Sequence, residues 1–376
     1  MQHKRWRFAL VLACLLLPAR LGSLPRFAKT DLRTRSDLKV GMSSRTFKPG
    51  EPYDWRGAKT HALVATVWYP AAAGAVEQPI EIPGMSELFV LGHAAQDAHL
   101  APMPTNYPLV VLSHGTGGSA LQMAWLGTAL AANGFIAVAV NHPGNNATEP
   151  YTAQGFSTWW ERARDLSVVV DSMLADPTFG RHIDSHRIGA AGFSLGGYTM
   201  IEIAGGTTDV GAFRQFCASQ RVALVCQSPP EFPTLLEDFD KLSTTDTQFQ
   251  AALAHAGDSY RDTRVRAVFA IAPPLGPAFR PASLGAISIP VRIVAGKADT
   301  MAPIAYGAEY FASNIPGAKL TIFPGNVGHY VFLDTCTAAG RKTLALLCAD
   351  GEGVDREAIH AGTAAFAVEF FRETLN

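Results

Sequence analysis

The sequence predicts an α/β fold, a mostly parallel central sheet flanked by helices. Three observations lead there. From about Ala62 onward, short β-branched runs alternate with longer helix-like stretches, the pattern of repeated strand–helix–strand units. The run Leu109–Ser113 carries no polar alternation, as expected of a strand covered on both faces. The chain has 376 residues with 48% hydrophobic content, enough to bury a large core, which excludes disorder and a small disulfide scaffold.

Each element follows from a local pattern. His3, Lys4, Arg5 and Arg7 precede an almost unbroken apolar run, Phe8 to Leu17, and together they form a secretory signal pattern. Ten apolar residues fall short of the about 20 needed to cross a bilayer, so a permanent membrane anchor is not expected. Residues 1–23 are assigned to this leader, with the cut between Ala19 and Ser23. Cys14 lies inside the apolar run, with too little hydrophobic sequence before it for a lipoprotein attachment site. Export to the periplasm or beyond the cell follows.

Residues 24–376 then form one domain, since no Pro/Ser-rich linker, charge block or repeat divides them. The predicted strands are Ala62–Tyr69, Leu109–Ser113, Ile136–Asn141, Arg187–Gly192, Val265–Ala272, Val291–Ala295 and Lys319–Phe323. A helix spans roughly Ala120–Asn133, and a final helix runs from about Asp355 to Thr374. Residues 205–264 are far too long for a simple crossover, and they hold a Ser228-Pro229-Pro230 break and an amphipathic stretch at Thr247–Ala256. They are predicted to form an inserted lid, or cap.

Removing the leader leaves Cys217, Cys226, Cys336 and Cys348, an even number in a chain bound for an oxidising space. Four cysteines allow three pairings, and the short separations favour Cys217–Cys226 and Cys336–Cys348. No Cys-x-x-Cys or paired-His spacing suggests a metal. With 31 basic against 32 acidic residues and no basic cluster, nucleic acid is excluded as a partner.

The chemistry-bearing signal is Gly192-Phe193-Ser194-Leu195-Gly196-Gly197, placed between a predicted strand and a helical run. In a nucleophile elbow the serine sits on a sharp strand-to-helix turn, and glycines two residues either side leave room for close backbones. A serine hydroxyl is a weak nucleophile at neutral pH, so it needs a base and a group orienting that base. Asp299 follows the strand Val291–Ala295, and His329 follows Lys319–Phe323 in a glycine-rich loop. The order Ser194, Asp299, His329 is that of α/β-hydrolases, and Asp334 is the fallback acid. Two backbone N–H groups should receive the oxyanion: Leu195, just after the serine, and Thr116, in the loop Ser113-His114-Gly115-Thr116-Gly117-Gly118-Ser119. His114 and His142 are taken as structural, Asn141-His142-Pro143-Gly144 as pocket lining, and Arg162-Ala163-Arg164-Asp165 as ion-paired scaffold.

At these residues the chain resembles predicted dienelactone-hydrolase-like proteins and plasma-type platelet-activating-factor acetylhydrolases. The likeness runs from Val67-Trp68-Tyr69-Pro70 through Ser113-His114-Gly115, Asn141-His142-Pro143-Gly144 and the elbow to Gly328-His329. It implies an α/β-hydrolase fold and a lipase-like esterase acting on short or accessible acyl groups, and some similar secreted enzymes hydrolyse polyesters. The expected substrate is a small-molecule or lipid-like ester, and its hydrolysis by these three side chains needs no metal or organic cofactor. Two departures limit it. Dienelactone hydrolase itself carries cysteine at the elbow, where this chain has Ser194. The acetylhydrolases take their acid after the strand that here reads Val268-Phe269-Ala270-Ile271-Ala272-Pro273, which has no carboxylate. Competing readings are amide or peptide hydrolysis by the same three side chains, and a catalytically silent binding protein on the same fold.

Overall fold

The computed structural model describes residues 38–102, 105–221 and 223–376. The expected leader lies outside them. The strands are β1 (Lys39–Phe47), β2 (Leu63–Ala71), β3 (Gln78–Pro79), β4 (Phe89–Val90), β5 (His93–Gln96), β6 (Tyr107–Ser113), β7 (Ile136–Val140), β8 (Ile183–Phe193), β9 (Val265–Ile271), β10 (Val291–Gly296), β11 (Lys319–Phe323) and β12 (Thr335–Cys336). Ten of them form one sheet in the order β11-β10-β9-β8-β6-β7-β2-β1-β5-β3, and β12 pairs with β4 apart from it. The six strands from β7 through β6 and β8 to β11 are mutually parallel, whereas β2 runs antiparallel to both β7 and β1.

The helices are α1 (Ala124–Ala132), α2 (Ala153–Ser157), α3 (Glu161–Ala175), α4 (Leu195–Ile203), α5 (Val210–Ser219), α6 (Leu235–Thr245), α7 (Thr247–Ala254), α8 (Pro281–Gly285), α9 (Ala308–Asn314), α10 (Ala338–Thr343), α11 (Ala345–Cys348) and α12 (Arg356–Thr374). Side chains of a strand alternate between faces, and the central strands are apolar at nearly every position. In β6, Tyr107, Leu109 and Val111 pack into the core that also takes residues of α3, α4 and α9. Val110 and Leu112 enter the opposite core, with residues of α1 and α12. β7 divides in the same way, Ile136, Val138 and Val140 to one face and Ala137 and Ala139 to the other. The smaller alanines let α1 lie close to the sheet. Caps end the helices where the sequence supplies them: the Asp355 carboxylate accepts from Ala358 N–H at the start of α12.

The sheet extends beyond the predicted strands. β1 pairs with β2 over its whole length, Lys39 opposite Ala71 and Phe47 opposite Leu63. Its centre reads Ser43-Ser44-Arg45, too polar for a local signal, so its extended form comes from the ladder it makes with β2. β8 starts four residues earlier than the predicted Arg187, because Ile183 pairs with Tyr107 ahead of an irregularity in the register. The predicted Ala120–Asn133 helix opens as a 3₁₀ turn, Ala120–Met123, before α1. Segment 205–264 contains α5, α6, α7 and a 3₁₀ turn at Leu224–Cys226. Both cysteine pairs are bonded as expected, Cys217 to Cys226 and Cys336 to Cys348. Among the described residues, no helix is long and apolar enough to cross a membrane.

Candidate active site

The C-terminal ends of the parallel strands carry the predicted residues. Ser194 stands between β8 and α4 with φ 54° and ψ −120°, a region costly for any side chain bearing a Cβ. Such a conformation costs about 1–3 kcal/mol and persists only where surroundings enforce it. Here Ser194 N–H donates to Ile271 O at 2.8 Å, tying the turn to the adjacent strand. The glycines around it are sterically required. A Cβ on Gly192 would lie 2.4 Å from Gly196 O, and one on Gly196 would lie 2.0 Å from Ser113 O. The elbow is therefore pressed directly against the end of β6.

Two loops from later strands converge on Ser194. His329 Nε2 lies 2.8 Å from Ser194 Oγ, and His329 Nδ1 lies 2.7 Å from Asp299 Oδ2. A carboxylate only accepts, so Nδ1–H donates to Asp299 and Nε2 is left to accept the serine proton. Asp299 also caps its own turn, for its Oδ1 accepts from Ala302 N–H at 2.7 Å. The loop bearing it is fastened to its neighbour by Ala298 N–H donating to Val327 O and Lys297 N–H donating to Phe323 O, both 2.9 Å. Ser194, Asp299 and His329 are 9%, 5% and 7% exposed, low enough to strengthen their hydrogen bonds while leaving an approach to the hydroxyl. The Phe193 ring packs 4.9 Å from the imidazole. Asp334 is buried elsewhere: burial, opposed by Arg356, holds its carboxyl well above the usual carboxylate range.

The loop after β6 faces the elbow. A Cβ on Gly115 would sit 3.3 Å from Ser194 Cβ. Gly115 N–H donates to Gln122 Oε1 at 3.2 Å and Gly117 N–H to Asn145 Oδ1 at 2.7 Å. Among the described residues, the Thr116 and Leu195 N–H groups have no acceptor. Those are the two groups predicted as oxyanion donors, and the side chains of Gln122 and Asn145 engage the neighbouring alternatives. Gln122 and Asn145 were not legible as loop clamps, because nothing local distinguishes an amide that turns inward.

Beneath this loop lies a second Ser–His–Asp chain. Ser113 Oγ is 2.9 Å from His142 Nε2, and His142 Nδ1 is 2.7 Å from Asp165 Oδ2. All three are at most 1% exposed, so no substrate reaches Ser113. His142 is thus structural, as expected, and the buried Asn141-His142-Pro143-Gly144 segment around it is framework where pocket lining was expected. Burial, with Arg162 nearby, depresses the His142 pKa to about 3 and keeps the ring neutral. Burial alone would raise Asp165, but Arg56, His142 and Tyr53 together hold it below the ordinary carboxylate range. Arg56 Nη2 reaches both Asp165 oxygens at 2.8 and 2.7 Å. The expected ion pair on this helix thus takes its partner from the β1–β2 connection, 109 residues away, which a sequence pattern on α3 cannot reveal. Arg162 instead donates through Nη2 to His114 O and Ser113 Oγ.

Segment 205–264 meets the same edge. A Cβ on Gly117 would lie 3.3 Å from Glu231 Cγ and 2.9 Å from the Tyr151 hydroxyl, which donates to Gly117 O at 2.8 Å. Phe232 packs 5.2 Å from Phe156, and Phe213 packs 5.4 Å from Trp159. Among the described residues, no cluster of three or more His, Cys, Asp or Glu is arranged to hold a metal ion.

A mostly parallel sheet with a serine on a strained strand-to-helix turn is the α/β-hydrolase architecture. The chain belongs to the alpha/beta hydrolase family, whose model matches residues 110–339. It is similar to Cutinase est1 of Thermobifida alba, 25% identical over 64% of this chain and 60% of the relative. It is also similar to Lipase 1 of Moraxella sp. (strain TA144), 33% identical over 22% of this chain and 23% of the relative. These matches span less than two thirds of the relatives' own length. A solved ferulic acid esterase from Streptomyces cinnamoneus superposes with a TM-score of 0.60 over 90% of both chains at 20% identity, a likeness of fold.

Proposed function

We propose that this chain is a serine carboxylic ester hydrolase that works through an acyl-enzyme. The observation that carries this is the unbroken chain from Asp299 through His329 to Ser194, beside two unengaged N–H groups. His329 Nε2 takes the Ser194 proton as Oγ attacks the acyl carbon. The oxyanion rests on Thr116 and Leu195 N–H, at the positive end of α4. His329 returns the proton to the leaving alkoxide, and the acyl group stays on Ser194. Water, deprotonated by His329, then releases the acid and restores the hydroxyl.

Relatives named cutinase and lipase favour a lipid-like or polyester substrate over an amide. The motif likeness to dienelactone-hydrolase-like and acetylhydrolase-like secreted esterases points the same way. Export is part of the proposal: two disulfides suit an oxidising space, as does a leader over residues 1–23 ahead of a single domain at 24–376. Segment 205–264 serves as the lid, since Glu231 sits beside the proposed oxyanion loop.

An acyl-chain series of p-nitrophenyl esters, with a matched anilide, tests the proposal on wild type and Ser194→Ala. Wild type should turn over esters longer than acetate and leave the anilide nearly untouched. Ser194→Ala turning over at the wild-type rate would refute the proposal, and a strict acetyl preference would refute a lid at 205–264 that leaves room for longer acyl chains.

A further inference from the structure

We propose that His114 is a positioning residue for the oxyanion site, its buried ring holding the Gly115–Thr116 peptide group so that Thr116 N–H faces the reacting carbonyl. The inference rests on the esterase reading above. It starts from a tautomer that the structure leaves no freedom to choose. His142 N–H can only donate, and it points at His114 Nε2 at 3.3 Å. The His114 proton therefore sits on Nδ1, which donates to Gly115 O at 2.7 Å. Burial first, then the nearby Arg162 and His142, push the imidazole well below its ordinary pKa, so it stays neutral in this form.

Gly115 O and Thr116 N–H belong to one peptide group. In a planar trans peptide the carbonyl and the N–H point in opposite directions, so fixing the first aims the second. Donation to the carbonyl also polarises the N–H and makes it a better donor. Neighbouring groups on this segment are held as well. Arg162 donates to His114 O, Gln122 Oε1 takes Gly115 N–H, and Ser113 Oγ lies between His142 Nε2 and Arg162 Nη2. The second Ser–His–Asp chain thus has a use without a substrate: it seats the strand end from which the oxyanion loop springs. His114 is fully buried and touches no reacting atom, so its effect passes through the peptide group alone.

Gly118 N–H also donates to Gly115 O, at 3.2 Å, so removing the imidazole loosens the peptide without freeing it. Losing an oxyanion donor costs about a hundredfold or more in kcat, and loosening one should cost about tenfold. Three variants decide the matter: His114→Leu removes the donor, His114→Asn keeps an N–H near the Nδ1 position, and Ser194→Ala removes the nucleophile. The measurements are kcat and KM on p-nitrophenyl butyrate, inhibition by a trifluoromethyl ketone that forms a tetrahedral adduct, and Tm. The expected result is a roughly tenfold lower kcat for His114→Leu with KM little changed, an equal weakening of the ketone, and recovery of most of kcat in His114→Asn. Wild-type kcat in His114→Leu overturns the proposal, as does a loss seen equally in His114→Asn at wild-type Tm. Should His114→Leu fail to fold, His114→Asn decides alone, near wild-type kcat supporting the proposal and a tenfold loss overturning it. Wild-type turnover by Ser194→Ala refutes the esterase reading itself, whereas an inert Ser194→Ala beside a fully active His114→Leu refutes only the positioning.

Discussion

Replacing Asp299 by asparagine gives a sharp test of the hydrogen-bond chain, because the structure dictates which way the new amide must face. Asp299 Oδ1 accepts from Ala302 N–H at 2.7 Å, so an amide nitrogen at that position would set donor against donor. In Asp299→Asn the amide oxygen must stay there, and the NH₂ group then faces His329. The imidazole must turn Nδ1 into an acceptor and carry its proton on Nε2, against Ser194 Oγ, where it can no longer take the serine proton. Geometry survives while the base is lost. A misplaced tautomer of this kind costs about 10⁴ in kcat. That is about 5.5 kcal/mol of barrier. The assay is steady-state turnover of p-nitrophenyl butyrate, with fluorophosphonate labelling of Ser194 as a second measure and Tm as the control for folding. Both rates should fall together at nearly unchanged Tm. Retention of more than about a tenth of wild-type turnover would refute the chain, and a collapse in Asp334→Asn instead would move the acid to the fallback residue.

Three further outcomes follow from other parts of the molecule. Gly196→Ala places a methyl group 2.0 Å from Ser113 O, so the elbow and the oxyanion loop must separate; turnover should fall about a hundredfold, and wild-type kcat would contradict the packing. Reducing Cys217–Cys226 and Cys336–Cys348 should remove about 2–4 kcal/mol each, read from urea unfolding with and without dithiothreitol, and an unmoved midpoint would contradict it. Glu202, buried on α4 with Tyr198 donating to it at 2.7 Å, is pushed up to about 8 by burial. Its folded form binds the proton more tightly than the unfolded chain, so it costs no stability below pH 4.5 and removes stability as pH rises toward 8. Glu202→Gln should flatten that decline in a pH series of unfolding free energies, and an identical slope in both proteins would sink the assignment.

The elbow and the parallel core were legible because each is written in a few adjacent residues. Gly192 and Gly196 flank Ser194 at fixed spacing, and a strand buried on both faces must be apolar throughout. The cysteine pairing was legible for a similar reason, since short separations restrict which sulfurs can meet. β1 was not, for its polar centre takes extended form only through pairing with β2.

By itself, then, the chain determined which side chains could do chemistry and in what order they follow one another. Tertiary structure alone decided how those groups are held. Arg56 meets Asp165 across 109 residues, His142 turns from a loop motif into a buried link between Ser113 and Asp165, and His114 takes its tautomer from a backbone N–H of another strand end. The physical reason is range: torsional preference and hydrophobic period act over a few residues, whereas a buried hydrogen bond depends on which distant groups the packed sheet brings within about 3 Å.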